Sequence, residues 1–87
     1  MPYITEDKRV NLDPEIYALI EKLQEAGFNE GDLNYTISRI IRADFQVNPS
    51  YGTINKAMGV LECAKAEYYR RVAVPYEDKK IEINGDL

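Results

Sequence analysis

Histidine is absent from this 87-residue sequence, and cysteine occurs once, as Cys63. Without histidine the chain cannot build a Cys/His zinc site, and no serine or cysteine can pair with a histidine base. A single cysteine excludes a disulfide within one chain, and we expect Cys63 to be a packed, reduced thiol. These absences remove several metal-dependent and nucleophilic enzyme classes, and we expect no cofactor.

Long apolar runs are also missing from the sequence. No stretch approaches the length of about 18 apolar residues that a membrane-spanning helix needs. The opening residues, MPYITEDKR, lack the apolar core of a secretory signal. We therefore expect a cytoplasmic protein without a membrane partner. A single domain of 87 residues is only marginally stable alone, so we also expect a homodimer.

Positive charge is in the minority and is unevenly placed. The chain has 11 lysines and arginines against 15 acidic residues, and its net charge is −4. The first 32 residues are strongly negative, whereas residues 65–80 are net positive. Nucleic-acid-binding domains are usually basic as a whole, so this balance makes nucleic acid an unlikely partner.

Apolar periodicity predicts an all-α fold, a small bundle of three main helices with a short C-terminal helix. In the first helix, Asp13 is suited to the N-cap and Pro14 to the first helical position, and Gly27 is a left-handed stop. Pro75 is expected to end or kink the long central third helix. The expected single domain, 1–87, comprises an arm over 1–12, helices over 13–26, 32–45 and 53–74, a short helix over 75–83, and a tail over 84–87.

The third helix has two contrasting sides. One is a broad apolar stripe that includes Met58, Leu61 and Tyr68. Nearly opposite lie three small residues, and a glycine within a helix costs about 1 kcal/mol relative to alanine. We interpret this small-residue face as a site where another helix approaches closely; its members are Gly59, Cys63 and Ala66.

The C-terminal segment concentrates charge and tyrosine. Glu67 and Arg71 have the i, i+4 spacing of a favourable helix pair. We expect an ion-pair network, within or between chains, that joins an arginine pair to a carboxylate pair. The full candidate interface consists of the small-residue face together with Glu62, Lys65, Glu67, Arg70, Arg71, Tyr76, Glu77 and Asp78.

Two other functions remain open beside a non-enzymatic interaction or accessory role. Glu62, Glu77 and Asp78 could hold magnesium for hydrolysis of a phosphorylated substrate, provided that the fold brings them together. Arg70 and Arg71 could bind phosphates of a nucleic acid weakly. These charges can pair with opposite charges within the helices, and this pairing favours the interaction protein over the two other functions.

Three segments, LNYTISRII, SYGTINKAMGVLECAKAEYYRRV and PYEDKKIEINGD, resemble a small family of prokaryotic and phage proteins. The resemblance covers about residues 33–86. Its shared features are two tyrosine-containing motifs, a Gly-x-Leu-Glu run, an arginine pair and an acidic C-terminal motif, found here at Asn34, Tyr35, Tyr51, Ile54, Asn55, Gly59, Leu61, Glu62, Arg70, Arg71, Pro75, Tyr76, Glu77, Asp78, Asn84, Gly85 and Asp86. The resemblance implies no activity, so the function is inferred from the residues alone.

Overall fold

The computed structural model of the protein describes residues 4–86, which form helices and no strands. The elements are α1, Glu6–Glu25; α2, Glu30–Val47; α3, Tyr51–Tyr68; a π-helical turn, Tyr69–Ala73; and α4, Val74–Asn84. The last three are continuous and form one joined helix of 34 residues. The predicted all-α class and the long third helix are confirmed.

Backbone contacts divide the chain into two compact units, one that ends at Arg42 and one that begins at Ala43. The boundary lies inside α2. The single helical domain over 1–87 stays a prediction. None of the helices within residues 4–86 combines the length and apolar composition that crossing a bilayer requires.

Helix α1 begins well before the predicted start at Asp13. Thr5 is its N-cap, and the carbonyl of Thr5 accepts the N–H of Arg9 at 3.0 Å. Two acidic residues, Glu6 and Asp7, occupy the first turn, where negative charge is favourable against the helix dipole. Most of the predicted arm is therefore helical, although residues 1–3 of it lie outside the described residues.

The early start of α1 leaves Pro14 inside a helix instead of at its first position. Proline has no N–H, so the carbonyl of Val10 lacks the donor that a regular helix would supply. The segment ahead of it contains good helix formers, which favour helix before the proline; they are Glu6, Lys8, Arg9 and Leu12. The predicted first-position role of Pro14 is thus wrong.

Helix α1 ends as the sequence predicted, at Gly27. Gly27 has a left-handed backbone with φ of 83°, and its N–H donates to the carbonyl of Gln24 at 2.9 Å. The N–H of Phe28 donates to the carbonyl of Leu23, also at 2.9 Å. This pair of bonds is the Schellman arrangement, which satisfies carbonyls at the end of a helix.

Side chains cap the next two helices. The Asn29 side chain accepts the N–H of Asp32 at 2.8 Å and begins α2. Ser50 is the N-cap of α3, and its Oγ accepts the N–H of Thr53 at 3.1 Å. Thr53 is only 4% exposed and is the one buried residue among residues 4–86. Buried contact is therefore concentrated in a polar cap.

Pro75 does not end the third helix; it is accompanied by a widened turn. The N–H of Val74 donates to the carbonyl of Tyr69, five residues earlier. In a regular helix the ring of Pro75 would clash with the carbonyl of Arg71, four residues earlier. Opening the turn moves that carbonyl away and lets α4 continue. The helix finally ends at Gly85, whose N–H donates to the carbonyl of Ile81 at 2.7 Å.

Apolar side chains within residues 4–86 are all at least partly exposed. The predicted apolar stripe of α3 is present, yet Met58 is 64% exposed and Tyr68 is 67% exposed. The sequence thus predicted which residues share a face. In a single chain, that face is uncovered.

Candidate functional site

The most connected charges on the joined helix centre on Glu67. One carboxylate oxygen of Glu67 accepts a 2.7 Å hydrogen bond from the Arg70 guanidinium and another from Nε of Arg71. The Glu67 side chain is 23% exposed, whereas those of Arg70 and Arg71 are 65% and 57% exposed. The predicted pairing of Glu67 with Arg71 is confirmed. Exposed helix pairs of this kind contribute only about 0.2–0.5 kcal/mol each.

The predicted carboxylate partners of these arginines lie further along the chain, in α4. The side chains of Glu77 and Asp78 make no hydrogen bond or ion pair within the described residues. Within residues 4–86 the predicted network is therefore half formed: the arginines bond Glu67, whereas Glu77 and Asp78 form no ion pair.

Tyr76 and Lys80 form a second local pair on α4. The Lys80 ammonium lies 5.5 Å from the centroid of the Tyr76 ring. A contact at this distance has the geometry of a cation–π interaction and contributes about 0.5–1 kcal/mol at an exposed site. It holds one cation against an aromatic face and leaves the neighbouring acids unneutralised.

The predicted small-residue face is open in the single chain. Gly59, Cys63 and Ala66 are all exposed, and no atom lies within 4 Å of a Cβ built on Gly59. Cys63 therefore does not pack as the sequence predicted, because no neighbouring helix covers it. Lys65 is also exposed. Use of this face as a contact stays a prediction.

The predicted magnesium ligands are not assembled into a site. Among residues 4–86, no group of three or more carboxylate or thiol side chains is placed to hold a metal ion. Glu62 belongs to α3, while Glu77 and Asp78 belong to α4 beyond the π turn. The hypothesis of a phosphate-substrate hydrolase thus lacks a ligand cluster in the described chain.

Two surface features escaped sequence reasoning. Lys56 bonds Asp44 at 2.8 Å across the break between α2 and α3; a separation of twelve residues through a loop gives no periodic signal. Beside this break lies an open apolar groove of about 420 Å³, lined by Phe45, Pro49, Ser50, Tyr51 and Ile54. The groove offers aromatic and aliphatic surface but no charged side chain, so it suits contact with apolar groups.

A second depression lies on α4 and has a volume of about 360 Å³. Four of its lining residues follow the spacing i, i+3, i+4, i+7, namely Glu77, Lys80, Ile81 and Asn84. Four side chains at this spacing form the hole into which a facing helix inserts a side chain.

Comparison with known proteins yields one similarity, which covers the whole chain. Residues 1–87 match a family described as a domain of unknown function, DUF6899. No curated protein and no solved structure matches the chain. The family description assigns no activity.

Proposed function

We propose that this chain, which belongs to the DUF6899 family, is a non-enzymatic interaction protein that acts through protein–protein contacts and forms a homodimer. The observation that carries the proposal is the absence of any buried apolar side chain within residues 4–86. Apolar burial is the main favourable term in folding, at about 25 cal/mol per Å². A chain that leaves its apolar faces uncovered gains this term only when a partner covers them.

The exposed apolar residues also have the arrangement that helix pairing needs. In α1, Ile16 and Ile20 are exposed on one face, and in α2 Ile37 and Ile40 are exposed. Spacings of three and four residues place such side chains in stripes along a helix. Stripes of this kind are suited to packing against other helices. A small-molecule site, by contrast, is concave and enclosed.

Sedimentation equilibrium of the purified chain tests the proposal. We expect a mass of at least twice 10.0 kDa at micromolar concentration, because association covers the apolar stripes. A mass that stays at that of one chain up to millimolar concentration would contradict the homodimer. Retardation of labelled nucleic acid at low salt, lost as salt rises, would instead favour the nucleic-acid alternative through Arg70 and Arg71.

The prokaryotic and phage origin and the cytoplasmic location stay predictions. Both are consistent with an interaction protein, and neither is used in the argument for self-association.

A further inference from the structure

We propose that two copies of the joined helix pair antiparallel about Val74, so that Arg70 of each copy lies against Asp78 of the other. This inference rests on the proposed function, because it names the surface through which the chain self-associates. Three features support it: the order of charges around Val74, the register set by the π turn, and the depression on α4.

The order of charges favours an antiparallel pair. Arg70 lies four residues before Val74, and Asp78 lies four residues after it. In a two-fold pair centred on Val74, each residue faces the one equally far on the other side, so the opposite charges meet twice. A parallel pair in register would place Arg70 against Arg70 and Asp78 against Asp78, which like-charge repulsion disfavours.

Both charged groups are available for this contact. The Arg70 side chain is 65% exposed and uses one of its nitrogens to bond Glu67. A guanidinium has five N–H donors, so others remain for a second carboxylate. Asp78 has no ion pair within residues 4–86. A second copy would supply the cation that its own chain does not.

The π turn brings the two halves of the joined helix into a common register. Val74 and Asp78 are four apart in α4 and share a side of that helix, whereas Arg70 lies within the π turn, where regular helical spacing does not apply. Each residue turns a helix by about 100°, so the additional residue in the π turn rotates everything beyond it by roughly that angle. This rotation brings Ile81 into line with Tyr69 on the same side.

The depression on α4 then faces an aromatic side chain. In the register centred on Val74, Tyr69 is level with residue 79 of the other copy and so lies between Glu77 and Ile81, at one edge of the depression. Tyr69 is 55% exposed in the single chain and contains a ring large enough to extend into this depression. The pair would therefore be held by a tyrosine knob at each end and by Val74 at the centre.

A charge exchange tests this register. We expect Arg70→Glu and Asp78→Arg each to raise the dissociation constant of the homodimer by at least about tenfold, measured by sedimentation equilibrium. The double variant exchanges both charges in both copies, so we expect its dissociation constant to return to within about threefold of the original. The lost bond from Arg70 to Glu67 is not restored in the double variant, so recovery isolates the contact between copies.

Lys79→Glu is the matched control, because the register places Lys79 on the other side of the helix. We expect no change in its dissociation constant. A second measurement uses Cys63→Ser with Val74→Cys, which should form a disulfide-linked dimer under mild oxidation because the two cysteines meet at the two-fold axis.

The possible results separate the two proposals. In one result the original chain associates, but the double variant does not recover and the Val74→Cys variant does not cross-link. This result would overturn the Val74 register and would not contradict the proposed interaction protein. A chain that remains a monomer at every concentration overturns the proposed homodimer and the register together.

Discussion

Two helices of this chain meet a residue that commonly ends a helix, and only one of them ends there. At Gly27 in the first unit, α1 stops, and the last carbonyls receive new donors from Gly27 and Phe28. At Pro75 in the second unit, the helix widens for one turn and continues to Asn84.

This contrast shows that a missing N–H donor does not by itself end a helix, because the carbonyls it frees are satisfied either by a left-handed turn that stops the helix or by a widened turn that lets it continue. The left-handed conformation at Gly27 makes the Schellman bonds available. Next to Pro75, bonding five residues back does the same within the helix. The second solution changes the helical register as well as the local geometry, and the proposed pairing about Val74 depends on that change.

Removing the prolines has the largest expected effect and tests the contrast directly. Pro75→Ala restores an N–H and removes the clash, so we expect the π turn to close into regular α-helix. Helix stability should rise by up to about 3 kcal/mol. The rotation of α4 is then lost, so the dissociation constant of the homodimer should rise. Circular dichroism measures the helix stability, and sedimentation equilibrium of the same samples measures the dissociation constant.

Pro14→Ala is the control for this change. It lies inside α1 and should raise helix stability by a similar amount without altering self-association. If Pro75→Ala associates as tightly as the original chain, the π turn does not set the register of the interface.

A matched pair of glycine substitutions has a smaller expected effect, of opposite sign at the two sites. Gly27→Ala places a Cβ in a left-handed conformation and should lower the free energy of unfolding by about 1–2 kcal/mol. Gly59→Ala lies within α3 and should raise it by about 0.5–1 kcal/mol. No atom lies within 4 Å of a Cβ at either site, so steric clash does not confuse the comparison.

Denaturant unfolding of the two variants measures this difference in the free energy of unfolding. A loss of stability or of association in Gly59→Ala would show instead that a second helix packs closely on the small-residue face, as the sequence predicted. An unchanged Gly27→Ala would contradict the left-handed end of α1.

Local signals predicted much of the secondary structure. Gly27 marks the end of α1 correctly, because it acts through hydrogen bonds to near neighbours. The predicted start of α1 at Asp13 is wrong because the sequence contains two competing signals for a helix start. One is the acidic first turn after Thr5, and the other is the Asp13-Pro14 pair. Nothing in the sequence ranks them.

The candidate site was less predictable. Spacing predicted the Glu67–Arg71 pair, since a helix fixes the distance between such residues. Periodicity could not show that the apolar stripes are uncovered in one chain, because it reports which residues share a face and not what lies against it. Nor could Pro75 alone indicate a widened turn, since a proline is equally compatible with a helix end.

The concentration dependence of thermal unfolding tests the central claim most directly, namely that the apolar faces of this chain are covered only by association. If folding and association are linked, the unfolding midpoint must rise as the chain is made more concentrated, over a range of about 100-fold. A midpoint that stays constant across that range, with one cooperative transition, would contradict the claim and mean that a single chain is stable by itself.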